Sequence, residues 1–427
     1  MRRAEADNGP VPLTGRTIWI PQMSRGGAVA FAAAFRSVGL DARVCPDGDS
    51  RTLELGNKHT SGEECLPARV TLGNFLKVAE QPGFDPDRTA FFMPTADGPC
   101  RFGEYAPYLK KITADLGLGG IKVFSPSSRD GYAGIGNRAN ELKRTAFRGL
   151  VCSDILRKML HKTRPYELTK GDTDAVHEQQ LRAVEAVLER QNLSAARRIA
   201  LLTDVMTAAR DAFRKVPVRL TDLRPKIGVV GEIFCRLTPF TNESMIERVE
   251  ALGGECMLAH LVEWVEYTNL ETQKRLIRRG LRVSKAMAVA KISDYIQRAD
   301  EHRLYRLFEE DFRGYEEPKI EELHHYAEPY LPAYGALGEM TLSAGKAVYF
   351  HHQGCDGVID ISPFTCMNGI VTEAVYPRVS ADHDDMPIRN LFFDGTQKDV
   401  DRDLSIFLEL AKSYQTRRLA KPPAKGD

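Results

Sequence analysis

The chain has 427 residues, and its 59 lysines and arginines against 58 aspartates and glutamates leave a net charge of +1. That balance excludes both a general basic field for nucleic acid and a strongly acidic surface, so any partner is recognised locally. The length exceeds one ordinary core and suits two lobes with connecting helices, and no run of about 18 apolar residues is present to span a membrane.

At the N-terminus, MRRAEADNGPVPLTG has no apolar stretch behind its arginines. It reads as neither a secretory signal nor a transit peptide, and a cytoplasmic protein is expected. The apolar run from Thr17 to Pro21, a Gly-Gly pair and the Ala-rich stretch from Ala28 to Val38 predict a strand, a turn and a helix. Strands over Ala42 to Cys45 and Thr89 to Met93 follow. They are separated by a polar loop from Pro46 to Thr60 and a helix from about Leu66 to Ala79, and a further helix runs from about Gly103 to Leu116. Between Gly131 and about Val216 the pattern changes to long, charged, helix-period sequence.

The Arg224-Pro225 step breaks that pattern, and Lys226 to Val230 opens a second strand-helix series. It continues with a helix over Asn242 to Leu252, one or two long charged helices from about Leu270 to Gly314, and strands over Gly357 to Ile361 and Ile388 to Phe393. A C-terminal helix from about Val400 to Arg418 and a loose tail, AKPPAKGD, close the chain. Strands alternating with helices make parallel sheets the economical solution. The expected fold is α/β: a Rossmann-like lobe over 1–130, a helical connector over 131–223, and a second Rossmann-like lobe with a long helical insertion over 224–427.

The eight cysteines, at 45, 65, 100, 152, 235, 256, 355 and 366, are scattered through a long chain, so a disulfide framework is not expected. Three of them share a setting. Cys65 lies in HTSGEECLPARV just ahead of a helix, Cys100 in a Gly-Pro turn after a strand, and Cys366 in PFTCMNG after a strand of the second lobe. In open α/β sheets ligands bind beyond the carboxyl ends of strands. Helix N-termini favour negative charge, which predicts lowered thiol pKa values and suits a thiolate-metal centre. Their wide spacing matches no compact ferredoxin or zinc signature, so buried packing thiols and metal ligands both remain open on pattern alone.

The segments TSGEECLPARV, GPCRFGEY, VGEIFCRLTPFTN and PFTCMNG closely resemble those of the 2-hydroxyacyl-CoA dehydratase component and activase-related family, which includes benzoyl-CoA reductase relatives and double-cubane cluster proteins. The resemblance covers about residues 60 to 370. It implies an oxygen-sensitive 4Fe-4S cluster in a cleft between the lobes, held by Cys65, Cys100 and Cys366, with one iron left for water, substrate or a bridging sulfide. It also implies electron delivery by a separate ATP-hydrolysing activator, assembly as a homo- or hetero-oligomer with a related subunit, and reductase or dehydratase chemistry on a small or CoA-thioester substrate. An electron-transfer or cluster-holding subunit without catalysis is the alternative. A double-cubane 8Fe-9S cluster is another, with Cys355 and Cys235 as additional ligands; Cys355, eleven residues before Cys366, is otherwise read as a fourth ligand or as a buried thiol.

The chain departs from the family pattern at Asn368, where a proline commonly follows Cys-Met, and at Cys235, where an apolar residue is usual. Glu232, after the strand IGVVG, is expected to point into the cleft as an acid-base group or to serve as a helix N-terminal carboxylate. His59 is a further acid-base candidate. His351 and His352 are neighbours on a helix and are expected to face apart. SAGKAV holds Gly345-Lys346 but lacks the earlier glycine and the hydroxyl residue of a phosphate-binding loop, so nucleotide hydrolysis is expected from another protein.

Overall fold

The computed structural model describes residues 13–96, 98–126, 132–220, 224–332, 334–336, 338–396 and 399–420. Most of the C-terminal tail lies outside them. Its elements run β1 (Thr17–Ile20), α1 (Arg25–Ser37), β2 (Ala42–Val44), α2 (Ser50–Lys58), α3 (Leu66–Ala79), β3 (Thr89–Phe92), α4 (Tyr105–Asp115), β4 (Lys122–Phe124) and α5 (Ala139–Thr163). They continue with α6 (Asp172–Leu188), α7 (Ala195–Arg214), β5 (Lys226–Gly231), α8 (Ile233–Leu237), α9 (Met245–Ala251), β6 (Glu255–Leu258), α10 (Val262–Arg278), α11 (Lys285–Tyr305) and α12 (Ile320–Ala327). The last are α13 (Glu339–His352), β7 (Gly357–Pro363), α14 (Met367–Asp382), β8 (Ile388–Phe393) and α15 (Val400–Ala420).

The protein is α/β with two four-stranded, all-parallel sheets, ordered β2-β1-β3-β4 and β6-β5-β7-β8. Each sheet reverses its strand order beside its first strand, which creates a switch point between β1 and β3 and another between β5 and β7. Two compact units contain them. One comprises 1–153 with 182–204, the other 154–181 with 205–427. Helices α5, α6 and α7 are thus divided between the units.

In the first unit, alternation along the strands covers both sheet faces. Ile18, Ile20, Ala90 and Phe92 pack on Ala28, Ala32 and Phe35 of α1. Trp19, Phe91 and Met93 turn to Leu72, Phe75, Leu76 and Leu109 of α3 and α4, with Phe75 and Phe91 stacked at 4.4 Å. The segment expected as a loop from Pro46 to Thr60 contains α2 instead. Asp49 caps it, accepting from the Thr52 amide while the Thr52 hydroxyl answers the Asp49 amide, so two otherwise unpaired donors are satisfied.

In the second unit Val230, Met257 and Val358 of the sheet pack with Leu342, Val348 and Phe350 of α13 and Leu323 of α12. Helices α12 and α13 meet at Gly345, where a Cβ would stand 2.1 Å from the Leu323 carbonyl oxygen. Gly345→Ala is therefore expected to force the two helices apart and cost about 1–3 kcal/mol, read as a lower urea midpoint. An unchanged midpoint would mean that the two helices are free to move apart.

Candidate functional site

In the first unit the α2–α3 connection is built around the Glu64 carboxylate. It accepts the amides of Ser61 and Gly62 at 2.9 and 3.1 Å, and these bonds, with others from Ser61 and Tyr108, hold the acid below its usual range although burial opposes them. Cys65 then occupies the N-cap of α3 without using its side chain to cap, and Pro67 stiffens the first turn. Its Sγ lies 2.9 Å from the Tyr105 hydroxyl on α4. One turn further on, Tyr108 donates to the His59 carbonyl at 2.7 Å. The His59 backbone thus joins this framework, and the residue is half-buried at the end of α2.

Cys100 follows β3 and caps the short 3-10 turn Arg101–Glu104, where its exposed Sγ accepts the Phe102 amide at 3.5 Å. Arg101 donates to the Glu63 carbonyl at 2.6 Å, tying this turn to the loop that carries Cys65. The first unit therefore brings the Cys65 and Cys100 segments together against the start of α4.

In the second unit the switch point gathers Glu232, Glu339 and Cys366. Glu232 ends β5 and caps α8, accepting the amides of Phe234 and Cys235 at 3.0 and 2.8 Å. Glu339 opens α13 and accepts the Ile233 amide at 3.0 Å. Cys366 follows β7 and caps α14. Just before it Thr365 has a left-handed backbone, φ 65°, an outlier for a β-branched residue and the kind of strain that collects at functional positions. Asn368 reaches Glu339 at 3.3 Å through Nδ2, and its Oδ1 is buried without a hydrogen-bond partner. Such an acceptor suits a donor carried by a bound group.

The expected thiolate does not form spontaneously at Cys366. Burial first, and then the Glu232 and Glu339 carboxylates, push this thiol up to about 12, outweighing the helpful amides of Gly369 and Asn368. A helix N-terminus loses here to desolvation and like charge, and a metal would have to displace the proton. Cys65 and Cys100 stand at helix starts in the first unit, and Cys366 stands at one in the second with a buried orphan acceptor two residues on. Thiols with amides directed at sulfur, as at Cys100 and Cys366, are of the kind that ligate metal.

Glu339 is legible only in the fold, because EMTLSAGKAVYFHH carries no sequence signal of a site. Burial and the neighbouring Glu232 push it up to about 8, while the helix-start amides favour charge on Glu232, which burial also raises. The pair therefore retains a proton at neutral pH. Because the folded value of Glu339 lies above the unfolded one, its contribution to stability is complete below about pH 4.5 and is lost as pH rises through about 8. In the metal-free chain Glu339→Gln is expected to gain on wild type across that window, measured as the difference in melting temperature against pH. Parallel curves would exclude a raised Glu339.

The remaining thiols are placed differently. Cys235 is fully buried on α8 behind Glu232. Cys355 precedes β7 while Cys366 follows it, so a strand of about 20 Å separates them, and the Cys355 thiol contacts Met257 Sδ at 3.4 Å in the core. The second unit does not bring Cys355 to Cys366. Cys45, Cys152 and Cys256 are buried, with burial raising all three.

A separate buried charge network lies in the same unit. Lys346 is about 1% exposed and its Nζ donates to Glu263 and to Glu317, the latter at 2.5 Å. Lys158 donates to Glu317 and to the Tyr305 hydroxyl at 2.6 Å, and His260, pushed down to about 4 by burial, stands 3.3 Å from Glu317. Lys346 is thus committed to carboxylates. Among the described residues, no helix is long and apolar enough to cross a membrane. No protein-family profile matches the chain, and no curated protein matches it significantly.

Proposed function

We propose that this protein is the iron-sulfur component of an ATP-dependent, low-potential reductase or dehydratase system. It would hold a 4Fe-4S cluster through Cys65, Cys100 and Cys366 and act on a small or CoA-thioester substrate. One observation carries the reading: of eight cysteines, these three cap helix starts, while the other five are buried in the core. The cluster would supply single electrons at low potential and an iron open to substrate. Glu339 would hold a proton beside Cys366, Glu232 would carry the charge, and the buried Asn368 Oδ1 would accept from a substrate hydroxyl or water.

Cluster reduction would depend on a separate ATP-hydrolysing activator, because concentrated negative charge in low-dielectric surroundings resists an added electron. The test is strictly anaerobic purification, followed by iron and sulfide analysis and by EPR with reductant, with and without activator and ATP. About four iron atoms per chain, reduced only with activator and ATP, are expected. A colourless, iron-free protein would overturn the reading. About eight iron atoms would move it to the double-cubane relatives. A reduced spectrum indifferent to every acyl-CoA substrate would leave only electron transfer.

A further inference from the structure

His351 and His352 end α13, and His383 caps the C-terminus of α14. The expectation that the two adjacent histidines face apart is not met, because the helix ends here and their rings stand 5.4 Å apart in a T-shaped pair. His383 lies 4.9 Å from the His351 ring and 5.8 Å from that of His352. One ring nitrogen from each residue lies within 4.8 Å of the other two.

The hydrogen bonds around the trio fix which nitrogens are available. His351 Nε2 lies 3.5 Å from the Asp384 carboxylate, and its Nδ1 is buried without a hydrogen-bond partner. The Tyr330 hydroxyl donates to Asp382 at 3.1 Å, which leaves its oxygen to accept from His383 Nε2 at 3.2 Å. These contacts are those of rings that carry their proton on Nε2, which would leave each Nδ1 to a metal. Carboxylate or tyrosine behind an imidazole N–H is the outer arrangement of histidine metal sites. Asp384 has a left-handed backbone, φ 59°, in the turn after His383, which brings its carboxylate back to His351.

We propose that His351, His352 and His383 bind one divalent transition-metal ion of the zinc type, clamping the end of α13 to the turn between α14 and β8. Three imidazoles suit zinc, with water as the fourth ligand. Tetrahedral zinc needs nitrogens about 3.3 Å apart, so the rings must close by roughly 1.5 Å, which rotation of the exposed His352 and half-buried His383 supplies. The α14 helix, about 24 Å long, separates this site from Cys366. It is therefore independent of the proposed iron-sulfur centre.

The test uses the full chain, purified anaerobically and treated with EDTA, titrated with Zn2+ by calorimetry and with Co2+ by visible absorption. One Zn2+ per chain is expected at micromolar affinity or tighter. Co2+ should give nitrogen-ligated bands without a thiolate charge-transfer band. His351→Ala, His383→Ala and the exposed His352→Ala should each weaken binding about ten-fold or more and abolish the rise in melting temperature that zinc gives wild type. A Cys65→Ser, Cys100→Ser, Cys366→Ser variant should keep the site. Metal-free melting of His352→Ala at the wild-type temperature shows that its fold is intact. No zinc binding by wild type, or binding that survives all three histidine substitutions and falls with the cysteines, overturns the proposal.

Discussion

Cys65→Ala, Cys100→Ala and Cys366→Ala are each expected to lose most of the iron bound by anaerobically purified wild type, while Cys256→Ala and Cys355→Ala retain it. A thiolate removed from a three-thiolate set leaves a second iron without a protein ligand and opens the centre to oxidation and loss. The losses should rank with exposure: Cys100 is open to solvent, whereas Cys65 and Cys366 are enclosed. Iron analysis and the visible spectrum measure the outcome. Equal retention in all five variants would remove the cluster assignment, and loss in Cys355→Ala alone would transfer it to a thiol at the opposite end of β7.

Lys346→Met is expected to produce the largest loss of stability, about 3–5 kcal/mol, because it leaves the buried Glu263 carboxylate without its cation beside Glu317, which Lys158 still holds. Although burial opposes it, the surrounding cations hold Glu317 well below its usual range, so the negative charge persists when Lys346 is gone. Adding Glu263→Gln should recover much of the loss, since an uncharged amide costs less to bury than an unpaired carboxylate. Urea unfolding of the two variants and wild type measures both effects. A cost below about 1 kcal/mol would place the network in contact with water.

Strand-helix alternation was legible where the signals are strong. The α3 helix matches the expected span, and the six expected strands fall within a residue or two of the observed ones. Strands β4 and β6, of three and four residues, were not legible in the sequence, although β1, β2 and β3 are just as short. The α2 helix was hidden by its polarity, since it buries only Thr52, Leu55 and Gly56, and its Asp49–Thr52 box was the usable signal. The α13 helix was hidden for the opposite reason: it is buried nearly all round and has no amphipathic stripe.

The same contrast runs through the sites. The settings of Cys65, Cys100 and Cys366 could be read from turns and neighbouring residues. Glu339 and the histidine trio could not, because they depend on which helix end the fold lays beside another. Neighbours in sequence predicted divergence for His351 and His352, and only the end of α13 lets the rings converge.

The two sheets share one strand order, so their elements can be matched position by position. In that comparison Cys100 and Cys366 are counterparts, each following the third strand of its sheet. The helix before that strand starts at Cys65 in one copy and at Gly338 in the other. A side chain at Gly338 would meet Met340 Sδ at 2.4 Å and Asn368 Oδ1 at 2.6 Å. At the second sheet's counterpart of the Cys65 position, a thioether and an amide already occupy the space a side chain would need. A cysteine grafted at Gly338 would have to displace both, so the second sheet has no room for a thiol where the first carries Cys65.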